Sequence, residues 1–196
     1  GIESELIEYS PGRSNLIAEL KGDDSGKILC FNGHMDVVAA GDPNEWTYDP
    51  FAAEIVDGKM YGRGTTDMKA GLTAMVLALI ELKESGQAFY GTLRLVANIG
   101  EEIGMLGSEQ LTDEGYMDDI DALVIGEPSG REAIITSHKG SLQYEVISHG
   151  RAAHSSMPEK GINSLMQINE FITKADERFS KATESAHNEK LGPMLN

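Results

Sequence analysis

Short apolar runs, separated by one long stretch of helical periodicity, constrain the fold of this chain most strongly. The runs Lys27 to Asn32, Thr92 to Asn98 and Ala122 to Ile125 have the length and apolar character of buried strands. Between the first two, apolar residues from Lys69 to Ser85 recur at helical spacing, and Gly86 then ends the pattern. This alternation predicts an α/β fold with a mostly parallel sheet covered by helices.

Weaker local signals add elements to this first region. Ser14 to Leu20 is typical of a short strand. The dipeptide Asp57-Gly58 lies between two short segments, Ala53 to Val56 and Lys59 to Tyr61. This arrangement predicts a hairpin, because both turn positions favour a positive φ. Gly104 to Leu111 suits a short helix. These elements extend the α/β pattern without changing its class.

The pattern changes near Gly140, where we place a domain boundary. Leu142, Tyr144 and Val146 alternate with polar residues, which predicts a half-exposed strand. Asn163 is a candidate N-cap for a helix, whose apolar stripe would contain Leu165, Ile168, Ile172, Ala175 and Phe179. We therefore predict one domain over residues 1–139 and the start of a second over residues 140–196.

Charge and cysteine content limit the class of function. The chain has 16 Lys and Arg against 32 Asp and Glu, which gives a formal net charge of −16. Because Lys and Arg are not clustered into a basic patch, a nucleic-acid partner is not expected. The acidity fits a solvated surface or carboxylates gathered around a metal ion. The single cysteine, Cys30, lies in an apolar run and is expected in the core. The sequence has no signal-peptide pattern and no apolar run long enough for a membrane, so we expect a cytoplasmic protein.

The segment Gly33-His34-Met35-Asp36 directly follows the first buried strand. Ligands in open α/β sheets bind beyond the carboxyl ends of the strands, so His34 lies where a metal ligand would be useful. Asp36, two residues further on, could accept the other ring N–H of His34 and fix its tautomer. Taken alone, the pair also fits an ordinary hydrogen bond.

Three further loops carry carboxylates at comparable positions. Asp67 stands where the long helix begins, and a simple N-cap is the alternative. Glu101 and Glu102 follow the second buried strand, where an acidic turn at a helix start is equally plausible. Glu127 follows the third buried strand. Because these loops share one edge of the predicted sheet with His34, together they indicate a site for zinc or a related divalent ion.

Taken together, these motifs resemble the dinuclear zinc deacylase and exopeptidase family, which includes succinyl-diaminopimelate desuccinylase, acetylornithine deacetylase, aminoacylase and glutamate carboxypeptidase. The resemblance runs through nearly the whole chain in the family's order. The matching stretches are Gly33 to Val38, Gly41-Asp42, Trp46, Asp49 to Phe51, Tyr61 to Gly71, Glu101 to Gly104, Gly126 to Pro128, and Gly150 to Ser156 with Pro158, Gly161 and Asn163.

The resemblance implies a partial zinc-exopeptidase-like catalytic domain followed by part of an α+β lid or dimerisation domain. It implies two divalent ions, zinc first and cobalt as the alternative. His34 and Glu127 would bind the first ion, Glu102 the second, and Asp67 both. It also implies a cis peptide bond between Asp67 and Met68, and a homodimer formed through the lid.

Three residues receive catalytic roles from the same resemblance. Glu101 would be the general base, which takes a proton from the attacking water and later delivers it to the leaving amine. Asp36 would orient His34. His154, in the lid, would help to stabilise the tetrahedral oxyanion. The family's second metal takes another histidine that has no counterpart here, so we expect a fragment that is inactive alone.

The function that follows is hydrolysis of an amide bond next to a free carboxylate. Gly41-Asp42, Trp46 and Glu127 favour N-acyl amino acid substrates of the desuccinylase and deacetylase type. A zinc di- or tripeptidase, or a carboxypeptidase, is the alternative within the family. Outside it, a non-catalytic relative that acts through protein association and a plain α/β domain with a metal-binding edge remain open.

Overall fold

The computed structural model of the chain describes residues 2–23, 26–130, 132–189 and 191–193. The chain divides into two compact units, Gly1–Gly130 and Arg131–Asn196. No helix in the described part of the chain is both long and apolar enough to cross a membrane. The assignment of residues 1–139 to a catalytic domain and 140–196 to a lid stays a prediction.

The first unit is built on a five-stranded sheet. Its strands and helices, followed by those of the second unit, are β1 (Glu3–Ser10), β2 (Arg13–Lys21), β3 (Ile28–His34), β4 (Glu54–Val56), β5 (Lys59–Tyr61), α1 (Gly71–Ser85), β6 (Thr92–Asn98), α2 (Leu106–Asp113), β7 (Ala122–Ile125), α3 (Ser164–Ser185), β8 (His187–Asn188) and β9 (Gly192–Pro193). The sheet order is β1-β2-β6-β3-β7, and β4 and β5 form the predicted hairpin.

The sheet is mixed. β1 and β2, and β2 and β6, pair antiparallel, whereas β3 pairs parallel with both β6 and β7. Helix α1 packs on one face through Met75 and Leu79, and α2 packs on the other through Leu111. The predicted α/β fold is therefore confirmed.

Cys30 lies in the core, as predicted. Its side chain is fully buried beside Val96 and Leu111. Burial raises the pKa of the Cys30 thiol to about 11, so the thiolate that a nucleophile needs is disfavoured.

The parallel strands bring their carboxyl ends to one edge of the sheet. His34, the last residue of β3, is the register partner of Asn98, the last residue of β6. Gly126, directly after β7, donates its main-chain N–H to the carbonyl of Asn32. The loops after β3, β6 and β7 consequently start side by side.

In the second unit, α3 begins as predicted. The side chain of Asn163 accepts hydrogen bonds from the main-chain N–H groups of Leu165 and Met166, at 3.1 and 3.2 Å. The strand predicted around Tyr144 is wrong, because residues 141–149 belong to no strand. No neighbouring segment in the described ranges provides a hydrogen-bonded ladder for it, and side-chain alternation alone cannot replace one.

The structure differs from the sequence analysis at two further places in the first unit. The strand β1 did not appear in the sequence pattern, because its buried contribution is restricted to Ile7 on a charged edge. Helix α1 begins at Gly71, two residues later than predicted, and Thr65–Ala70 before it form a short π-helical segment that is kinked by the non-helical backbone angles of Asp67 and Met68.

Candidate metal centre

His34 is held rigidly at the end of β3. Its side chain is 2% exposed, and its main-chain N–H donates to Met68 Sδ over 3.0 Å. Its ring Nδ1 lies 2.9 Å from the carbonyl oxygen of Asp36, which can only accept, so Nδ1 donates. In the neutral imidazole this leaves the lone pair on Nε2, the atom that a metal ion would bind.

The carboxylate of Asp36 has a different partner from the one expected. Its nearest oxygen is 3.7 Å from His34 Nδ1, beyond hydrogen-bond distance. Its two oxygens instead accept the main-chain N–H groups of Glu101 and Glu102, at 3.1 and 3.2 Å. Asp36 thus orients His34 through its main chain and ties the loop after β3 to the loop after β6 through its side chain.

The carboxylates of three loops converge on His34 Nε2. This nitrogen lies 3.1 Å from Asp67 Oδ1, 3.5 Å from Glu127 Oε1 and 3.9 Å from Glu101 Oε2. Ligand atoms of His34, Asp67 and Glu102 also lie within 4.8 Å of one another and could hold a metal ion. The structure therefore brings together the five residues that the sequence pattern placed at one sheet edge.

Close glycine packing fixes the position of this cluster. A Cβ on Gly71, at the start of α1, would lie 1.9 Å from the carbonyl oxygen of Gly126, the residue before Glu127. A Cβ on Gly33 would lie 2.6 Å from the methyl group of the fully buried Met68. Helix α1 can approach β3 and β7 this closely only because these positions carry no side chain.

Asp67 does not cap the helix. The residue before the first residue of α1 is Ala70, and the carboxylate of Asp67 faces His34. The peptide bond between Asp67 and Met68 is cis, as the resemblance implied. The alternative interpretation of Asp67 as a simple N-cap is therefore wrong.

The cluster around His34 contains more carboxylates than cationic groups. Burial raises the pKa of Glu101 and of Glu127, His34 partly offsets this, and neighbouring carboxylates raise both values further. Burial disfavours the imidazolium of His34, but hydrogen bonds to Asp67 and to the Asp36 main chain outweigh it, so its pKa is raised.

No Lys or Arg of the described residues forms an ion pair with Asp67, Glu101, Glu102 or Glu127. A cluster of one imidazole and several uncompensated carboxylates suits a divalent cation, and the nitrogen and oxygen donors fit zinc. The donor set thus fits the metal that the sequence pattern indicated.

His154 belongs to the second unit, in the loop before α3. The side chain is exposed, and its Nδ1 accepts the main-chain N–H of Ser156 over 3.2 Å and lies 2.8 Å from the Ser156 hydroxyl. The proton of the neutral ring is consequently on Nε2, which can donate outward. This state suits an oxyanion donor, and the role itself stays a prediction.

Two residues that support the centre were not singled out as site residues in the sequence analysis. Asn15 is fully buried, and its side chain accepts the main-chain N–H of Ile99 just before the Glu101 loop. Lys69 donates from Nζ to the carbonyl oxygen of Met35 over 2.6 Å. Asn15 left no signal in the sequence, whereas the closeness of Lys69 to Asp67 could have drawn attention to it.

Comparison with known proteins gives a family match and close relatives. The model of peptidase family M20/M25/M40 matches residues 30–190. A protein of Staphylococcus aureus (strain Mu50), named "Probable succinyl-diaminopimelate desuccinylase", is 45% identical over 196 residues, 99% of this chain. The match covers 48% of that relative, so the chain spans about half the length of the curated relatives it matches.

Solved structures of similar fold include a carboxypeptidase and a dipeptidase. An M20 family metallo-carboxypeptidase from Sulfolobus solfataricus has a TM-score of 0.55 at 25% identity, over 64% of this chain and 28% of that one. Human carnosine dipeptidase 1 has a TM-score of 0.53 at 28% identity, over 62% of this chain and 29% of that one.

Proposed function

The chain belongs to peptidase family M20/M25/M40, and from this premise we propose that the whole protein is a dinuclear metal-dependent hydrolase of N-acyl amino acids. The observation that carries the proposal is the convergence of Asp67, Glu101 and Glu127 on His34 Nε2 without a Lys or Arg partner in the described part of the chain. The S. aureus relative's name supports desuccinylation as the reaction.

In this proposal the metal ligands divide between two ions. His34 and Glu127 would hold the first ion, Glu102 would hold the second, and Asp67 would serve both. Bound divalent ions lower the pKa of water and polarise the scissile carbonyl. Zinc is the expected ion and cobalt the alternative, since both accept imidazole and carboxylate ligands.

Glu101 is the proposed general base. Its Oε2 lies 3.9 Å from His34 Nε2, and no Lys or Arg of the described residues pairs with it, so the carboxylate is placed beside the ligands and is available to accept a proton. It takes the proton from the attacking water and gives it to the leaving amine. Asp36 holds the main chain of Glu101 in place, and His154 donates from Nε2 to the oxyanion.

The remaining assignments concern the whole protein. Residues 1–139 form the catalytic domain, and residues 140–196 form part of a lid through which the protein makes a homodimer. Its substrate is a small molecule with a free carboxylate, and its compartment is the cytoplasm.

An amine-release assay tests the reaction. The whole protein, loaded with zinc or cobalt, is given N-succinyl-diaminopimelate, N-acetylornithine, other N-acyl amino acids and several dipeptides. We expect turnover of the N-succinyl substrate, and chelation should remove it. Binding of both ions with no turnover of any substrate would favour the non-catalytic relative.

The role of Glu101 can be tested against a matched control residue, Glu109 of helix α2. Glu101→Gln should lower turnover roughly 100-fold or more while metal content is unchanged, because the amide cannot accept the proton. Glu109→Gln changes an exposed glutamate of α2 and should leave turnover unaltered. Equal activity of the two variants would contradict the assigned mechanism.

A peptidase is the second candidate. The two similar solved structures are named a metallo-carboxypeptidase and a dipeptidase, which favours peptide substrates for the same centre. Turnover of dipeptides with none of N-acyl amino acids would select this candidate.

A further inference from the structure

Lys69 links two parts of the metal centre that are distant in sequence. Its ammonium donates to the carbonyl oxygen of Met35 over 2.6 Å, and its main-chain N–H donates to the carbonyl of Gly64 over 3.0 Å. Met35 lies between His34 and Asp36, and Lys69 lies two residues after Asp67. One side chain thus joins the His34 segment to the turn that carries Asp67.

The main chain of Met35 is held on both sides of the residue. Its N–H donates to the carbonyl of Asn98 at the end of β6 over 2.8 Å, and its carbonyl accepts from Lys69. Gly64 has a φ of +78° and a Cβ there would lie 2.4 Å from Val37 Cγ1, so the turn that carries Lys69 needs glycine at this position. Loss of the ammonium would leave the Met35 carbonyl without that partner.

The ammonium of Lys69 is not paired with the ligand carboxylates. No ion pair joins it to Asp67, Glu101, Glu102 or Glu127 in the described ranges, although these carboxylates occupy neighbouring loops. A lysine paired with one of them would compete with a metal ion for the same oxygen. Bound to a neutral carbonyl, Lys69 leaves every ligand oxygen available.

We propose that Lys69 is a positioning residue that fixes His34 relative to Asp67 through the carbonyl of Met35. The distance that it sets is that between His34 Nε2 and Asp67 Oδ1, which is 3.1 Å. A charge-assisted hydrogen bond is stronger than a neutral one and suits this purpose. The inference rests on the proposed metal centre, because it concerns how that centre's ligands are held.

Metal affinity in the whole protein tests the proposal. Lys69→Met removes the donor, Lys69→Arg keeps one, and Lys83→Met changes an exposed lysine at the far end of α1. Zinc affinity is measured by chelator competition, and the visible absorption of the cobalt-loaded protein reports the ligand geometry. We expect Lys69→Met to weaken binding roughly 10- to 100-fold, as for other residues that support ligands, and to alter the cobalt spectrum.

Lys69→Arg should restore most of the affinity, and Lys83→Met should match the unaltered protein. Unchanged affinity and spectrum in Lys69→Met would overturn the proposal. A higher KM with unchanged metal binding would also overturn it, by making Lys69 a substrate contact.

If Lys69→Met fails to fold, Lys69→Gln provides a second test. Lys69→Gln keeps a neutral donor on a shorter side chain, and it should bind zinc more weakly than Lys69→Arg. Failure of both Lys69→Met and Lys69→Gln to fold would assign Lys69 to fold stability and overturn the proposal. Because metal binding is measured without substrate, weaker binding in Lys69→Met supports the proposal even if no amide is hydrolysed.

Discussion

Two groups of carboxylates in the first unit surround very different central groups. In one, the guanidinium of Arg94 makes two hydrogen bonds to Asp119, at 2.7 and 2.9 Å, and one to Glu19 at 2.8 Å. In the other, the imidazole of His34 faces Asp67, Glu101 and Glu127. The first group contains a permanent cation, whereas the second contains only a group that is neutral or singly protonated.

The difference appears in the acidity of the carboxylates. Hydrogen bonding to Arg94 lowers the pKa of Asp119, but burial raises the pKa of Glu101 and Glu127, which neighbouring carboxylates raise further. The Arg94 group is therefore complete within the chain and stabilises it. The His34 group lacks positive charge, and this deficit, more than the number of carboxylates, identifies a site for a cation.

The shape of the surface alone would point to the Arg94 group as the ligand site. A cleft of about 460 Å³ lies beside Arg94 and is lined by Glu19, Tyr116 and Asp119 among others. Concave clefts are a reasonable first place to look for a ligand. Here Arg94 is already paired with Glu19 and Asp119, so the electrostatics of the His34 group are the better guide.

Breaking the Arg94 group should have the largest effect on stability. Arg94→Leu is expected to lower the free energy of unfolding by about 3 kcal/mol, with or without zinc, because it leaves Asp119 without its cation and Glu19 with only Lys21, at 3.5 Å. The value is at the low end for a buried pair, since 57% of the Asp119 side chain is exposed. Urea unfolding measures it, with Lys83→Leu as the control. A loss below about 1 kcal/mol would make the pair equivalent to a surface salt bridge.

Zinc should stabilise the protein through His34 and not through Arg94. At free zinc 100 times the dissociation constant, binding adds about 2.7 kcal/mol to the free energy of unfolding. His34→Ala should abolish this increment, and Arg94→Leu should retain it. Urea unfolding with zinc and with chelator provides the comparison, and an increment that survives in His34→Ala would remove His34 from the centre.

Moving α1 away from β7 should disturb only the His34 group. In Gly71→Ala the new methyl group would lie 1.9 Å from the carbonyl oxygen of Gly126, so the helix or the Glu127 loop must shift. We expect a loss of about 2 kcal/mol in the free energy of unfolding and weaker zinc binding. Gly140→Ala is the control, since nothing lies within 4 Å of its Cβ. Equal stability of the two variants would contradict the close contact.

The smallest effect is a difference in pH dependence. The contribution of Asp119, whose folded pKa is lowered, is present above its ordinary value of 3.8 and is lost as the pH falls through the folded pKa. Glu127, whose folded pKa is raised, contributes stability below its ordinary value of 4.5 that is lost as the pH rises through the folded pKa. The two groups therefore have opposite signs.

Urea unfolding in chelator over a pH series tests these signs. The stability deficit of Asp119→Asn should shrink towards low pH. Glu127→Gln should become more stable, relative to the unaltered protein, as the pH rises above 4.5. The same sign for both variants would show that the two groups do not differ in charge balance.

The sequence was sufficient for features that depend on local pattern. His34 and Glu127 each follow an apolar run, so their place at a strand end could be predicted without the strand order. Asn163 was likewise predicted as a cap because its partners are two and three residues away. The convergence of the ligand loops followed from the general geometry of parallel strands.

Contacts between distant residues could not be predicted in this way. The bonds from the carboxylate of Asp36 to the Glu101 and Glu102 amides span 65 and 66 residues, and that from Asn15 to Ile99 spans 84. The strand expected around Tyr144 failed for the related reason that a strand needs a partner. In each case the missing information was which segments become neighbours.

The register of β3 against β6 also governs when the centre can form as the chain folds. The Asp36 and Glu101 loops meet only after a long stretch of chain has closed, which is slow compared with the hairpin β4–β5 or the helix α1. We therefore expect early folding species to contain these local elements but no set of converged ligands. Uptake of metal is accordingly expected to follow assembly of the parallel part of the sheet.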